Sequence, residues 1–141
     1  MKRINIYRII DVNLNRSREG LRVCEDITRF LCASPALTSQ LKSARHRLTV
    51  LAKRFPTTSE CLLRARNSQQ DIGKYLFSAN RSKQKKSAIR EIFLANIRRS
   101  QEATRVLEEF SKIIDKNIAD SFSRLRFKLY TLEKKVLLRM K

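Results

Sequence analysis

Fourteen residues near the start of the chain, "NLNRSREGLRVCED" at 13–26, return at 96–109 as "NIRRSQEATRVLEE". Asn13, Arg16, Ser17, Glu19, Arg22, Val23, Glu25 and Asp26 match Asn96, Arg99, Ser100, Glu102, Arg105, Val106, Glu108 and Glu109. The segments that follow correspond too: Arg45, Leu48 and Leu51 of "LKSARHRLTVL" match Arg126, Leu129 and Leu132 of "FSRLRFKLYTL". Each copy is a helix followed by a helix, too long for a solenoid repeat. This duplication predicts two helical hairpins packed about a pseudo-two-fold axis, with matched polar residues facing each other across the bundle. Gly20 costs about 1 kcal/mol relative to alanine in mid-helix, and its counterpart Ala103 is also small. Small residues at matched positions predict a close approach of the first and third helices, or of a ligand.

The rest of the chain agrees with an all-α fold. Two glycines and two prolines leave few helix breakers, and no alternating stretch marks a strand. Four long helices are predicted. The first runs from Arg8 to Leu31. The second lies in "SPALTSQLKSARHRLTVLAKRF", with Ser34 as N-cap and Pro35 at the first helical position. The third spans Ser87 to Ile114 and the fourth Ile118 to Arg139. The 141 residues are enough for one domain with a core: repeat halves at 8–52 and 87–139, joined by a connection at 53–86. That connection reads as irregular, with one short helix near Cys61. A connection this long inside a compact domain is usually functional or disordered.

On a helical wheel, Ile10, Leu14, Leu21, Cys24, Ile27 and Leu31 form one apolar stripe. Asp11, Asn15, Arg18, Arg22 and Arg29 lie on a polar face. Between them runs a seam of Val12, Arg16, Glu19, Val23, Asp26 and Phe30, whose mixture of hydrophobes and opposite charges predicts partial burial. Buried charges must be paired or face a ligand.

Lys and Arg number 32 against 13 Asp and Glu, a formal net charge of +19. That balance points to a polyanionic partner, be it nucleic acid, an acidic membrane surface or several phosphates; the Lys clusters at 83–86 and 134–135 also fit a solvated surface. Cys24, Cys32 and Cys61 cannot all pair, and with one histidine there is no metal-ligand spacing. They read as reduced thiols of a cytoplasmic protein, Cys24 packing in the core. No long apolar run opens the chain, so neither a signal peptide nor a membrane span is expected.

The repeated arginines suit phosphate, because a guanidinium offers a planar fork of donors and keeps its charge. The interleaved acids would hold those forks or bind Mg²⁺ together with phosphate oxygens. The same spacing also fits a purely structural ion-pair network.

"RIIDVNLNRSREGLRVCEDITRF" and "RLRFKLYTLEK" together resemble the helical monofunctional hydroxymethylpyrimidine-phosphate kinase family of thiamine biosynthesis, which occurs alone or fused ahead of thiamine-phosphate synthase. The resemblance implies transfer of a phosphoryl group from ATP, with Mg²⁺, to hydroxymethylpyrimidine monophosphate, and coupling to thiamine-phosphate synthase. No βα pattern follows, so the chain is not expected to make thiamine phosphate itself. The resemblance makes Asp11, Asn13, Asn15, Arg16, Glu19, Arg22 and Glu25 site candidates, with Arg16, Glu19 and Arg22 catalytic, and adds Arg45 and His46 of "SARHRL". "ARNSQQDIG" resembles the family's loop, contributing Arg66, Gly73 and Asp71, the last as a catalytic residue and metal ligand; Asn67 stands where the family pattern has an acid. Asn96, Arg99, Glu102 and Arg105 carry over from the repeat as much as from the resemblance. His46 also reads as a packed or a surface residue, and Phe127 at its repeat position favours packing.

No nucleophilic triad is needed for this chemistry, because a phosphate monoester is already ionised near neutral pH. Positive charge, Mg²⁺ and positioning would supply most of the catalysis. Two glycines cannot build a Walker-type loop, so side chains must replace its backbone cradle. Two other readings compete. A basic helical RNA-binding protein without catalytic activity fits the charge, but the acids within the repeat and the lack of a recognised RNA-binding motif oppose it. A helical mutase gripping a dicarboxylate through arginines would need no ATP.

Overall fold

The computed structural model describes residues 2–76 and 88–141, all helix and connecting turns. The lysine cluster at 83–86 and Ser87 lie outside the described residues. Helix α1 spans Arg3–Asp26 and passes into a π-helical turn, Ile27–Leu31. It starts five residues before the predicted Arg8, because Ile6 extends the apolar stripe and is buried. Two residues past this turn, Ala33 takes a left-handed φ of 46° and swings the chain into α2, Pro35–Ala52. Ser34 caps α2 as predicted, its Oγ accepting from the Leu37 N–H at 3.4 Å, with Pro35 in the first turn.

In the connection, Thr58 caps the short α3, Ser59–Ala65, and a single helical turn, α4, covers Gly73–Leu76. Helix α5 runs over Ile89–Ser111 and α6 over Lys116–Arg139. The end of α5 comes earlier than Ile114 because residues 112–114 form a turn. Helix α6 begins before Ile118 because Asp115, a cap residue overlooked in the sequence, accepts from the Asn117 N–H at 2.7 Å.

The directions of the long helices follow from their contacts. Ser17 meets Ser100 while Cys24 meets Phe93, so α1 and α5 are antiparallel. Arg54 meets Ser121 while Lys135 meets Gln40, so α2 and α6 are antiparallel too. Within each hairpin the partners are also antiparallel, and α2 and α5 therefore point the same way. The connection between them must return along the bundle, about 27 Å for the 18 residues of α2 at 1.5 Å each. Its length thus has a topological cause: a bundle of this order needs a long crossover. Ile10, Leu14, Leu21, Leu41, Leu48, Phe93, Ile97, Leu107, Phe122 and Leu129 fill the core between the four helices.

The duplication is visible bond by bond. Ser17 Oγ donates to the Ser100 carbonyl at 3.4 Å and Ser100 Oγ to the Ser17 carbonyl at 3.0 Å, as a two-fold axis between them requires. Asn13 and Asn96 each donate to the carbonyl four residues back, both at 2.8 Å. Glu25 receives Arg45 in one hairpin and Glu108 receives Arg126 in the other. Gly20 lies against α5: a Cβ there would stand 2.4 Å from Ser100 Oγ and 2.6 Å from the Asn96 carbonyl oxygen. Ala103 is buried.

Two expectations are corrected. Among the matched polar residues, Ser17 and Ser100 do meet across the bundle, but Arg16, Glu19, Arg22, Arg99, Glu102 and Arg105 point to solvent. Likewise the mixed seam is partly buried only at its valines: Val12 and Val23 are half-buried but Arg16, Glu19, Asp26 and Phe30 are exposed, whereas Asp11 on the polar face is buried and Arg18 half-buried. The reason is α3 and the strap after it, which cover the Asp11 side of α1 and leave the seam open.

Candidate functional site

A cleft of about 390 Å³ lies between the N-terminal half of α1 and the strap 66–71. Its floor is apolar, from Ile9 and Val12, and its walls carry Asn5, Arg8, Asp11, Asn15, Arg66, Asn67, Ser68 and Asp71. A bidentate ion pair fastens the strap to the helix. Arg66 Nε donates to Asp11 Oδ2 at 2.8 Å and Nη2 to Oδ1 at 2.9 Å. The Asp11 hydrogen bonds and charge push the Arg66 guanidinium above its ordinary pKa. Arg8 Nη2 adds a bond to the Asn67 carbonyl at 3.3 Å.

Beyond the clamp the strap is shaped by its own side chains. Asn67 Oδ1 accepts from the Gln70 N–H at 3.3 Å, and Asp71 Oδ1 accepts from the Gly73 N–H at 2.8 Å. Asn67 thus acts here as a turn-former, a role its amide performs as well as an acid would. Asp71 is half-buried at the cleft wall, and Gly73 opens α4 without φ > 0.

Sequence reasoning named Asp11, Asn15, Arg66 and Asp71, which the fold brings to this cleft, with Gly73 beside Asp71. It missed Asn5, Arg8, Ser68 and, one turn beyond Asn15, Arg18. The Arg18 Nε is buried without a hydrogen-bond partner among the described residues. Burial lowers its pKa, with the Asp11 charge acting in the opposite sense. Its position on the wheel beside Asp11 and Asn15 was a usable signal; Asn5 and Ser68 carried none.

The other candidates fall elsewhere. Arg16 and Glu19 lie one turn past Val12 and Asn15, on the exposed continuation of the cleft floor, and make no ion pair. Glu25 is buried in the α1–α2 hairpin, where Arg45 Nε donates to it at 2.8 Å and Arg22 approaches at 3.5 Å. Burial opposes its ionisation, yet the Arg45 hydrogen bond, with the charges of Arg45, Arg22 and Lys42, brings its pKa below the ordinary value. Arg105, Glu108 and Arg126 repeat this arrangement. Glu25 with Arg45, and Glu108 with Arg126, hold the hairpins together, and none of these four lines the cleft. Glu102 and Arg105 line a shallow depression beside Tyr130, and Arg99 is exposed. Asn13 and Asn96 spend their amides on α1 and α5 themselves. His46 and Phe127 are both exposed, so neither packs in the core; Phe127 stacks under Arg126 instead.

Among the described residues no three Asp, Glu, His or Cys converge as a metal cage. A single carboxylate such as Asp71 does fit Mg²⁺ that arrives with phosphate oxygens, since that ion keeps most of its waters and needs one or two protein ligands. Burial raises the Cys24 thiol to about 12, which makes it inert. Among the described residues no helix is long and apolar enough to cross a membrane.

Fold and site together define an all-α protein built from a duplicated helical hairpin, with an arginine-bearing cleft between the first helix and the strap 66–71. The chain belongs to the ThiD2 family, whose model matches residues 8–135. It is 37% identical over 128 residues to a thiamine-phosphate synthase of Nostoc punctiforme, covering 91% of this chain and 34% of that protein. The thiamine-phosphate synthase of Rhodopirellula baltica is 33% identical over 135 residues, covering 96% and 35%, and that of Synechococcus sp. strain CC9311 is 36% identical over 135 residues, covering 96% and 36%. The chain spans about a third of the length of these curated relatives. They carry the synthase name, not a kinase name. No solved structure matches the chain.

Proposed function

We propose that this chain serves thiamine biosynthesis by transferring a phosphoryl group from ATP to hydroxymethylpyrimidine monophosphate. The observation that carries the reading is the Asp11–Arg66 clamp over a cleft with an apolar floor and polar walls, about 390 Å³ in volume. That is room for one small aromatic ring and its phosphate. Family membership and relatives named for thiamine-phosphate synthesis support the pathway.

In this reading Ile9 and Val12 receive the pyrimidine face. Asn15, Asn67 and Ser68 offer donors and acceptors to its ring nitrogens and amino group. Arg8, with Arg66 held rigid by Asp11, grips the acceptor phosphate. The exposed Arg16, Glu19 and Arg22 form the open rim, where the triphosphate approaches; the two arginines offset the charge of two polyanions brought together. Mg²⁺, held by Asp71 and phosphate oxygens, supplies further charge neutralisation when bound. The acceptor brings an ionised oxygen, so no general base is assigned.

Asp11→Asn tests the clamp. An amide cannot accept both guanidinium donors, so Arg66 should lose its fixed position. Calorimetric affinity for the monophosphate should fall by about tenfold or more, with far-ultraviolet circular dichroism unchanged. Unaltered affinity would remove the clamp, and with it this assignment of the cleft.

A further inference from the structure

The net charge of +19 is not spread evenly over the bundle. Helix α1 holds five Lys and Arg against four Asp and Glu, and α5 four against four. Helix α2 holds three against none, and α6 seven against two. The excess carried by the long helices therefore sits on the α2–α6 side, away from the α1–strap cleft.

At the centre of that side lies a hollow of about 340 Å³, lined by Ser43, Arg47, Ser121, Arg124, Leu125 and Lys128. Two guanidiniums converge on one hydroxyl at its edge. Arg54 Nη1 donates to Ser121 Oγ at 2.7 Å and Arg124 Nη2 to the same atom at 3.1 Å. Ser121 is buried and donates in turn to the Asn117 carbonyl at 3.0 Å. Arg47, Arg54, Arg124 and Lys128 have no carboxylate partner among the described residues. Asp120, one turn from Arg124, forms no ion pair with it.

Arg45, Arg66, Arg98, Arg105 and Arg126 each have a carboxylate. Other arginines, Arg8, Arg16 and Arg99 among them, also lack a carboxylate among the described residues; what sets this face apart is that its unpaired cations line a hollow together with hydroxyls and no acid. Here Arg47, Arg124 and Lys128 line one hollow with neutral hydroxyls, and Arg54 adds a fourth positive charge at its edge through Ser121. Such an arrangement is disfavoured until an anion enters, and fork-shaped donors around a hydroxyl-lined hollow match the tetrahedral oxygens of phosphate.

We propose that the α2–α6 hollow is a phosphate-binding site, separate from the α1–strap cleft. Its ligand is a phosphate group of a small phosphorylated molecule or of a nucleic-acid backbone, contacted by Arg47, Arg54, Arg124 and Lys128 with Ser43 and Ser121 at its floor. The assignment does not depend on the proposed kinase activity.

The test is a residue-resolved NMR titration of the whole chain with inorganic pyrophosphate, and in parallel with a single-stranded oligonucleotide. Pyrophosphate should shift the amides of Ser43, Arg47, Ser121 and Arg124. In Arg54→Gln/Arg124→Gln the affinity read at those amides should fall by about a hundredfold, roughly tenfold for each charge-assisted donor pair removed. Both residues are exposed, so the variant should keep its helical circular dichroism. Much tighter binding of the oligonucleotide, with steep salt dependence, would identify the phosphate as nucleic acid; affinities no better than that of pyrophosphate would identify a small molecule. Shifts confined to the α1–strap cleft, no binding of either probe, or unchanged affinity in the double variant would overturn the proposal.

Discussion

Gly20→Ala should destabilise this protein, although the same change in an ordinary helix stabilises by about 1 kcal/mol. The new Cβ would stand 2.4 Å from Ser100 Oγ and 2.6 Å from the Asn96 carbonyl oxygen. Ser100 can turn aside only by giving up its 3.0 Å bond to the Ser17 carbonyl. The Asn96 carbonyl belongs to the α5 backbone and cannot turn aside. Relief therefore requires α1 and α5 to separate by roughly 0.6–0.8 Å, which loosens dispersion contacts along their seam. Overpacking of this kind costs about 1–3 kcal/mol, and weakening the two buried serine bonds adds about 0.5–1.5 kcal/mol each. After the gain in helix propensity of about 1 kcal/mol, a net loss of about 1–5 kcal/mol remains. Urea unfolding followed by circular dichroism reads this directly, and the melting temperature should drop by about 3–4 °C per kcal/mol at this chain length. A Gly20→Ala protein as stable as the parent would refute the close approach, and with it the two-fold packing of the hairpins.

Other outcomes follow from the same structure. Glu25→Gln should cost about 1–3 kcal/mol at neutral pH by leaving Arg45 without its anion, measured by urea unfolding. Because the folded Glu25 titrates below its ordinary value of 4.5, the ion pair contributes fully above about that pH and is lost as pH falls through the folded pKa. The stability gap between parent and Glu25→Gln should thus hold from neutral pH down to about 4.5 and shrink as pH falls below it, and a gap that stays constant in acid would contradict the ionic origin. Asp71→Asn should lower phosphoryl transfer by about tenfold or more with the fold intact; near-normal turnover would remove Asp71 from the site.

Much of the fold was legible because the signals were periodic and duplicated. The apolar stripe from Ile10 to Ile27, the Ser34–Pro35 helix start and the matched Ser17 and Ser100 all reappear as core, cap and interface. Helix ends were read less well: Asp115 caps α6 with a side chain that a charged run conceals, and α1 continues into a π-turn that no propensity marks. The site was legible in part. Asp11 and Arg66 were both named, but nothing in a string of residues says that they bind each other across 55 positions. The burial of Asp11 depends on the strap lying over one side of α1, and the exposure of Arg16, Glu19 and Phe30 on no described element lying over the other. Such facts belong to packing, and a helical wheel cannot supply them. The crossover from α2 to α5 likewise follows from helix direction, which spacing leaves open.

The most direct test of the proposed activity incubates the purified chain with ATP, Mg²⁺ and hydroxymethylpyrimidine monophosphate and follows products by mass. The expected result is the pyrimidine diphosphate and ADP in equal amounts. Free hydroxymethylpyrimidine should react at least about a hundredfold more slowly per unit concentration, since it lacks the phosphate whose charge-assisted bonds contribute about 1.5–3 kcal/mol each and would need a general base that the cleft is not assigned. Absence of the diphosphate, or equal turnover of the free alcohol, would contradict the account.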